Sequence, residues 1–174
     1  MLIYITGGAR SGKSRYAQDL AARLAKRVVF VATAFASDDD IKQRIQRHRR
    51  DRPKHWSTIE NKVNLAEVYQ EIDRRTELVL IDCLTMYVAG RLVKGEKEAK
   101  IQARVESLCK KAAASKITTI LVSNEVGSGI VPMTDWGRRF QDYLGRANQT
   151  AARSAEHAIV MVSGIPMVLK GEIA

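Results

Sequence analysis

The stretch "GGARSGKS" at residues 7–14 is the most specific structural signal in this 174-residue chain. Its spacing matches the pattern G-x-x-x-x-G-K-[S/T]. The apolar run "LIYIT" (2–6) precedes it, and the helical stretch "SRYAQDLAARLAK" (14–26) follows it. A strand, a glycine-rich loop and a helix in this order predict a phosphate-binding loop.

The residue types in this loop suit a nucleoside triphosphate. Glycines let backbone N–H groups converge on phosphate oxygens, and the helix N-terminus adds partial positive charge. Lys13 is predicted to be a catalytic residue that reaches the β- and γ-phosphates, and Ser14 to ligate Mg²⁺. For Arg10 a purely solvated side chain is the alternative. The predicted nucleotide contacts are Gly7, Gly8, Ala9, Arg10, Ser11, Gly12, Lys13 and Ser14.

Further strands and helices alternate along the chain. Apolar runs that resemble buried strands follow at 28–32, 78–82 and 117–123, and helical periodicity marks segments near 12–26, 39–51, 62–74, 97–115 and 134–153. This alternation predicts an α/β, P-loop NTPase-like three-layer fold around a mostly parallel sheet.

The chain end predicts a hairpin at the edge of that sheet. "AIVMVSGIPMVLK" (158–170) is typical of two antiparallel strands joined by a Gly-Ile-Pro turn. The sequence has no linker and no internal repeat, so residues 1–174 are predicted to form a single nucleotide-binding domain.

Asp82 is the candidate for the second magnesium ligand. It ends the apolar run "LVLID" (78–82), and ligands of open α/β sheets bind at the carboxyl ends of strands. The alternative is a strand-end Asp that caps the next segment.

Net charge and cysteine content narrow the class of protein. The formal net charge is +10, which suits polyanionic partners such as nucleotides, nucleic acid or an anionic membrane. No apolar run reaches the roughly 18 residues of a membrane span, and the N-terminus lacks a signal-peptide pattern. Cys83 and Cys109 have no metal-binding spacing. We expect a cytoplasmic protein with reduced thiols.

Much of the charge lies in the stretch 41–56, "IKQRIQRHRRDRPKHW", where seven of sixteen residues are Lys or Arg and one is Asp. The stretch is predicted to be a helix that ends before Pro53. On that helix His48 shares a face with Ile41 and Ile45. Flanking guanidinium groups favour a neutral, nucleophilic imidazole and attract triphosphate. Three roles stay open: nucleotidyl transfer, phosphate binding alone, or a solvated or nucleic-acid-binding face.

Five motifs in order make the chain resemble, over nearly its whole length, the bifunctional cobinamide kinase/cobinamide-phosphate guanylyltransferase family of cobalamin biosynthesis. They are "TGGARSGKSRYA" (6–17), "RIQRHRRDRPKHW" (44–56), "LIDCLT" (80–85), "VSNEVGSGIVP" (122–132) and "GRANQTAA" (145–152). The resemblance implies that ATP or GTP phosphorylates adenosylcobinamide. GTP then gives GMP to adenosylcobinamide phosphate through a GMP-histidine, yielding adenosylcobinamide-GDP. It also implies Mg²⁺, no nucleic-acid partner and a homo-oligomer, by resemblance a trimer.

The same resemblance assigns residues. The histidine that carries GMP corresponds to His48, whereas His55 follows a proline and suits a supporting segment. Further nucleotide contacts correspond to Thr33, Arg49, Arg50, Asp51, Arg52, Glu60 and Asp82. One departure concerns the residues after "DCLT", where the family pattern has an aromatic residue and then V-T-N. This chain has "MYVAG" (86–90), so Ala89-Gly90 replaces the Thr-Asn pair.

The sequence leaves two alternative functions open, and it leaves two roles open for Glu125. A P-loop small-molecule kinase would use His48 only structurally, and a nucleic-acid-binding ATPase would use 41–56 as its binding patch. The low aromatic content, 6%, disfavours base stacking. Glu125 is a candidate base for the substrate hydroxyl, with a capping role as the alternative.

Overall fold

The computed structural model describes residues 1–33, 52–60 and 62–172. The predicted helix at 39–51, with His48, lies outside these ranges. Within them, seven strands form one sheet in the order β3-β2-β4-β5-β1-β6-β7. The strands are β1 (Leu2–Gly7), β2 (Val28–Ala32), β3 (Ser57–Glu60), β4 (Leu78–Asp82), β5 (Thr118–Val122), β6 (His157–Val162) and β7 (Ile165–Lys170). The helices are α1 (Lys13–Leu24), α2 (Val68–Glu71), α3 (Leu84–Val93), α4 (Glu98–Ala114) and α5 (Asp135–Ser154), with a 3₁₀ turn at Leu65–Glu67.

All strand pairs in this sheet are parallel except β6–β7, which is antiparallel. Side chains alternate between two cores, as in β1, where Leu2 and Tyr4 face one core while Ile3 and Ile5 face the other. Helix α1 covers the core that contains Ile5, and α3, α4 and α5 cover the opposite one. The predicted three-layer α/β fold with a mostly parallel sheet is therefore confirmed.

Two elements escaped the sequence prediction. Strand β3 is short, and its residues are exposed or half-buried, so it lacks the apolar run that marks a buried strand. Helix α3 begins after Cys83 without a side-chain cap and contains Gly90, so it lacks the usual start signal and carries a residue of low helix propensity. None of the described helices is long and apolar enough to cross a membrane.

The helix expected at 62–74 was wrong in extent. The chain forms the 3₁₀ turn Leu65–Glu67 and the single turn α2, and Ile72 is already extended. The Asn64 side chain accepts a hydrogen bond from Ala66 N–H and so starts the 3₁₀ turn. The Asp73 carboxylate accepts one from Arg75 N–H (2.7 Å), which stabilises a turn instead of a continued helix.

The turn of the terminal hairpin also differs from expectation. Ser163 and Gly164 form it, with φ of 51° and 85°, whereas Ile165 and Pro166 belong to β7. Positive φ at both positions of a two-residue loop matches the twist of paired strands. The predicted Gly-Ile-Pro turn was therefore placed one residue too far along, while the antiparallel edge hairpin is confirmed.

Candidate functional site

The loop between β1 and α1 has a backbone that two glycines make feasible. A Cβ on Gly7 would lie 2.6 Å from the Met161 carbonyl oxygen and 2.7 Å from Ser11 Oγ. Gly12, just before α1, has a left-handed φ of 89°, which glycine adopts without strain. Close packing therefore requires a glycine at position 7, and a positive φ favours a glycine at position 12.

Lys13, the first residue of α1, directs its side chain toward this loop. Its side chain is buried, with only 4% of the residue exposed, and Nζ donates a hydrogen bond to the Gly8 carbonyl (2.9 Å). Gly8, Ala9 and Arg10 are exposed on the outside of the loop, and Ser14 is half-buried in the first turn of α1. The ammonium is thus directed into the loop, whose tip remains open to solvent.

The turn of the β6–β7 hairpin supports the loop from one side. Gly164 N–H donates a hydrogen bond to the Ser11 carbonyl (3.1 Å). A Cβ on Gly12 would lie 3.4 Å from Gly164 Cα. The hairpin at the sheet edge is therefore packed against the phosphate loop.

The carboxyl ends of the parallel strands lie along one edge of the sheet, and those of β1 to β4 carry most of the described candidate residues. The phosphate loop follows β1, Thr33 follows β2, Glu60 ends β3 and Asp82 ends β4. The strand ends are in register, with Ala32 opposite both Glu60 and Asp82. This is the edge at which open α/β sheets bind ligands.

Thr33 joins the ends of β2 and β4. Its Oγ1 donates to the Cys83 carbonyl (2.6 Å) and accepts from Cys83 N–H (2.7 Å), and its own N–H donates to the Asp82 carbonyl (3.3 Å). The Asp82–Cys83 peptide bond is cis. These hydrogen bonds hold the backbone on both sides of the Asp82–Cys83 peptide bond. In the described contacts Thr33 therefore has a structural role, which is to position Asp82.

Cys83, beside Asp82, is a poor nucleophile. Desolvation, reinforced by the Asp82 carboxylate, raises the pKa of its thiol to about 11. With this pKa, almost all of the thiol stays protonated at neutral pH. The thiolate is the reactive form of cysteine, so Cys83 reacts poorly. Cys83 and Cys109 are free cysteines.

Arg52 and Glu60 lie at the other end of the edge. Four strand spacings of about 4.8 Å separate β3 from β1, on the order of 19 Å, so Glu60 is remote from the phosphate loop. The Arg52 guanidinium lies 3.5 Å from the centre of the Phe30 ring, and its Nη1 donates to Thr58 Oγ1 (2.7 Å). A small pocket of about 260 Å³ includes both Arg52 and Glu60. His48, Arg49, Arg50 and Asp51 lie outside the described residues.

A buried polar cluster supports the middle of the edge, and its contacts were not predicted from the sequence. Asn148 of α5 accepts a hydrogen bond from Ser123 Oγ (2.6 Å) and donates one to the Asn124 carbonyl (2.9 Å). Thr85 Oγ1 accepts from Asn124 N–H (2.6 Å). Asn148 stands in the quoted motif "GRANQTAA", and a polar residue on the otherwise apolar inner face of a helix was the signal that could have identified it.

Glu125 follows this cluster and contacts the phosphate loop through its backbone. Its N–H donates to the Gly7 carbonyl (3.0 Å), and its Oε1 accepts from Gly127 N–H (2.6 Å). The carboxylate therefore caps the turn that follows β5, which agrees with the capping alternative. The polar cluster, the segment 123–125 and the phosphate loop form one continuous set of hydrogen bonds.

The described residues fit Mg²⁺ only in company with phosphate. Within the described ranges no group of three or more His, Cys, Asp or Glu side chains could hold a metal ion. Ser14 and Asp82 offer oxygen donors, which Mg²⁺ prefers, and it commonly binds through one or two protein ligands and substrate phosphates. The donor set thus suits a metal that arrives with a nucleotide.

Comparisons with known proteins agree with these features. The profile of the family described as "Cobinamide kinase / cobinamide phosphate guanyltransferase" matches residues 3–169. The "Bifunctional adenosylcobalamin biosynthesis protein CobU" of Escherichia coli is 38% identical over 98% of this chain and 100% of its own length. The "Bifunctional adenosylcobalamin biosynthesis protein CobP" of Pseudomonas aeruginosa is 39% identical over 97% of this chain and 96% of its own. The Salmonella typhimurium CobU protein is 36% identical.

The buried cluster makes a prediction about Asn148. The Asn148→Ala variant removes the acceptor of the Ser123 hydroxyl bond and the donor to the Asn124 carbonyl, which should lower the free energy of unfolding by about 1–3 kcal/mol. Urea denaturation measures it. Gln149→Ala, one residue along α5 and exposed, is the matched control and should change stability by less than about 0.5 kcal/mol. Equal stability of the two variants would contradict a supporting role for the cluster.

Proposed function

The chain belongs to the cobinamide kinase / cobinamide phosphate guanyltransferase family, a family of transferases, and we propose that it carries out two successive reactions of adenosylcobalamin biosynthesis. In the first, a nucleoside triphosphate phosphorylates adenosylcobinamide. In the second, GMP passes from GTP to adenosylcobinamide phosphate, which gives adenosylcobinamide-GDP and pyrophosphate. A small-molecule kinase without guanylyl transfer is the weaker reading, because the relatives are named as bifunctional proteins.

One observation carries the proposal: a phosphate loop with a buried lysine lies on the same sheet edge as a strand-end aspartate. Lys13 points into the loop, and Asp82 ends β4, two strands from β1. In the kinase step the loop N–H groups and Lys13 hold the triphosphate, so catalysis rests mainly on positioning and charge stabilisation. Lys13 exchanges its hydrogen bond with the Gly8 carbonyl for one with phosphate.

Ser14 and Asp82 are the residues that would hold Mg²⁺ beside the phosphates. When bound, the ion would neutralise charge that develops on the phosphate oxygens. The hydrogen bonds between Thr33 and Cys83 keep Asp82 in place for this role. The capping bond of Glu125 with Gly127 leaves that carboxylate outside the proposed chemistry.

For guanylyl transfer, His48 is the nucleophile. A nitrogen of its neutral imidazole forms a bond to the α-phosphorus of GTP while the bond from that phosphorus to the pyrophosphate oxygen breaks. An oxygen of adenosylcobinamide phosphate then attacks the same phosphorus, and the P–N bond breaks to release the histidine. Arg49, Arg50 and Asp51, with Arg52, are the neighbouring candidates for nucleotide contact.

The described end of this basic stretch supports that assignment. Arg52 lies four residues from His48, and four residues span at most about 14 Å. Trp56 packs in the same core as Ala17 and Leu20 of α1, so residues 52–56 lie on the face of the sheet that α1 covers. Arg52 and Glu60 flank one pocket, and Glu60 is a nucleotide contact with a carboxylate suited to guanine N–H groups.

Three broader assignments accompany this mechanism. Residues 1–174 act as one nucleotide-binding domain, since one sheet runs from β1 near the N-terminus to β7 near the C-terminus. The reactions take place in the cytoplasm, where ATP and GTP are available and the free thiols of Cys83 and Cys109 remain reduced. Nucleic acid is not a partner.

The working form is a homo-oligomer, by resemblance a trimer. Strand β7 ends the described sheet and pairs only with β6 there. Five large apolar side chains of the hairpin are at least half exposed: Val162, Ile165, Met167, Val168 and Leu169. An apolar edge strand invites pairing with another chain, and a second copy of this chain is the occupant we assign.

Replacement of His48 should separate the two reactions. His48→Ala should reduce covalent labelling by α-labelled GTP to background, because the P–N bond cannot form. Phosphorylation of adenosylcobinamide should remain measurable, since the phosphate loop is intact. Filter retention after an alkaline denaturing quench, which preserves the P–N bond, measures the label, and corrinoid chromatography measures the kinase product.

His55→Ala is the matched control, because His55 is exposed in the same basic stretch and has no assigned part in the chemistry. It should label like the unmodified chain. Undiminished labelling of His48→Ala would remove His48 from its role.

Replacement of Lys13 should impair both reactions. Lys13→Ala removes the charge that holds the triphosphate, and we expect each rate to fall about 100-fold or more. Arg15→Ala is the matched control, because the Arg15 side chain lies on the same helix and is 90% exposed. Thermal unfolding verifies that both variants are folded. Retention of either activity by folded Lys13→Ala would contradict a shared dependence on the loop.

The exposed hairpin predicts a change of oligomeric state. Met167→Glu combined with Leu169→Glu places two like charges on the apolar edge, and the assembly should dissociate to monomers. Multi-angle light scattering measures the molar mass. Leu24→Glu, at an exposed apolar position at the end of α1, should leave the assembly intact. A monomeric unmodified chain, or an unchanged mass of the double variant, would refute the interface.

A further inference from the structure

A cleft on the ligand edge has no part in the nucleotide chemistry described above. It has a volume of about 300 Å³ and lies between the end of β2, the residue Lys62 after β3, and one side of α3. Thr33 lines the cleft on the side toward Asp82, where its side chain hydrogen-bonds the backbone of Cys83. The cleft therefore lies at the edge formed by the carboxyl ends of the parallel strands, and it is separate from the phosphate loop, which follows β1.

Along the sheet edge, the order of the strands places this cleft between two groups of proposed nucleotide-binding residues, on the face of the sheet that α3 covers. In the sequence β3-β2-β4, β2 lies one strand, about 5 Å, from each neighbour. On one side Asp82 ends β4, toward the phosphate loop. On the other side Glu60 ends β3, in the pocket that it shares with Arg52. A molecule that must accept first a phosphoryl and then a guanylyl group has to be reachable from both sides.

The walls of the cleft combine apolar surface with positive charge. Met86, the Tyr87 ring and Val93 supply the apolar part. Tyr87 is held in place because its hydroxyl donates to the Val63 carbonyl (3.0 Å). Val93 is 61% exposed, so the apolar wall continues onto the open surface. Gly90 adds no side chain to the wall. Such a lining suits the apolar part of a ligand that extends beyond the cleft.

The charges in the cleft differ in how far they are already neutralised. Lys62 is paired with Glu71, and Arg91 lies 3.5 Å from the Glu96 carboxylate. Lys94 is exposed, and in the part of the chain that the structure describes no carboxylate pairs with it. Lys94 is therefore the cation best placed to meet an anionic group on a ligand that enters the cleft.

We infer that this cleft is the corrinoid site. It takes the reactive arm and one edge of the macrocycle, while the rest of the corrinoid lies over Val93 and the adjoining surface. Lys94 meets the phosphate that the first reaction adds to that arm. This inference rests on the proposed function and extends it to the acceptor. A cleft of this volume is at the lower end of the range for small-molecule sites, which agrees with the entry of only part of the ligand.

Two variants test separately the apolar surface and the positive charge of the cleft. Val93→Asp places a charge on the apolar wall and should weaken binding of both adenosylcobinamide and its phosphate. Lys94→Glu reverses the one cation that meets phosphate, so it should weaken binding of the phosphorylated corrinoid about tenfold, or 1.4 kcal/mol, and affect adenosylcobinamide little. Titrations followed by corrinoid absorbance in dim light measure both dissociation constants.

Lys110→Glu, at an exposed lysine of α4, is the matched control for charge reversal and should bind both corrinoids like the unmodified chain. Labelling by α-labelled GTP without corrinoid provides the separate readout of the proposed function. Normal labelling with unaltered corrinoid binding by Val93→Asp and Lys94→Glu would overturn the cleft and leave the function standing. Failure of the unmodified chain to label or to bind either corrinoid would overturn the function itself.

Discussion

The close approach of the phosphate loop to β6 and the hairpin turn is the constraint on which the rest of the site depends. No Cβ fits on Gly7, where Met161 and Ser11 lie within 2.7 Å of its position. Gly12 turns the chain through a left-handed conformation into α1. With both glycines in place, Lys13 is buried in the loop, and the Gly164 N–H contacts the loop from the hairpin. The same hairpin carries the exposed apolar edge, so the proposed assembly and the phosphate loop share one structural element.

The parallel sheet arranges the chemistry in a line. The strand order puts the phosphate loop near one end of the ligand edge, Asp82 in the middle and Glu60 at the other end. A single acceptor can meet two different donors on such an edge without a second domain. Along this edge the cleft beside Thr33 lies between Asp82 and Glu60, and there we infer that the acceptor of both reactions binds.

The phosphate loop and the central strands could be predicted from the sequence, because the patterns that indicate them are local. The pattern at 7–14 is a fixed spacing, and the runs at 2–6, 28–32 and 78–82 are apolar on both faces, so the loop and the central strands were identified. Strand β3 and helix α3 carried no such signal. Asn148 takes its role from partners 24 and 25 residues away in the chain, and no local pattern reports that contact. The remoteness of Glu60 from the loop follows from strand order, which composition and periodicity do not encode.

We propose that a histidine of the basic stretch, His48, carries GMP on a P-loop scaffold. Intact-mass spectrometry after incubation of the unmodified chain with GTP and Mg²⁺, followed by peptide mapping under conditions that preserve P–N bonds, tests it most directly. We expect a mass increase of one GMP group, mapped to His48 and removed when adenosylcobinamide phosphate is added. No adduct, or an adduct on another residue such as His55 or Lys13, would contradict it.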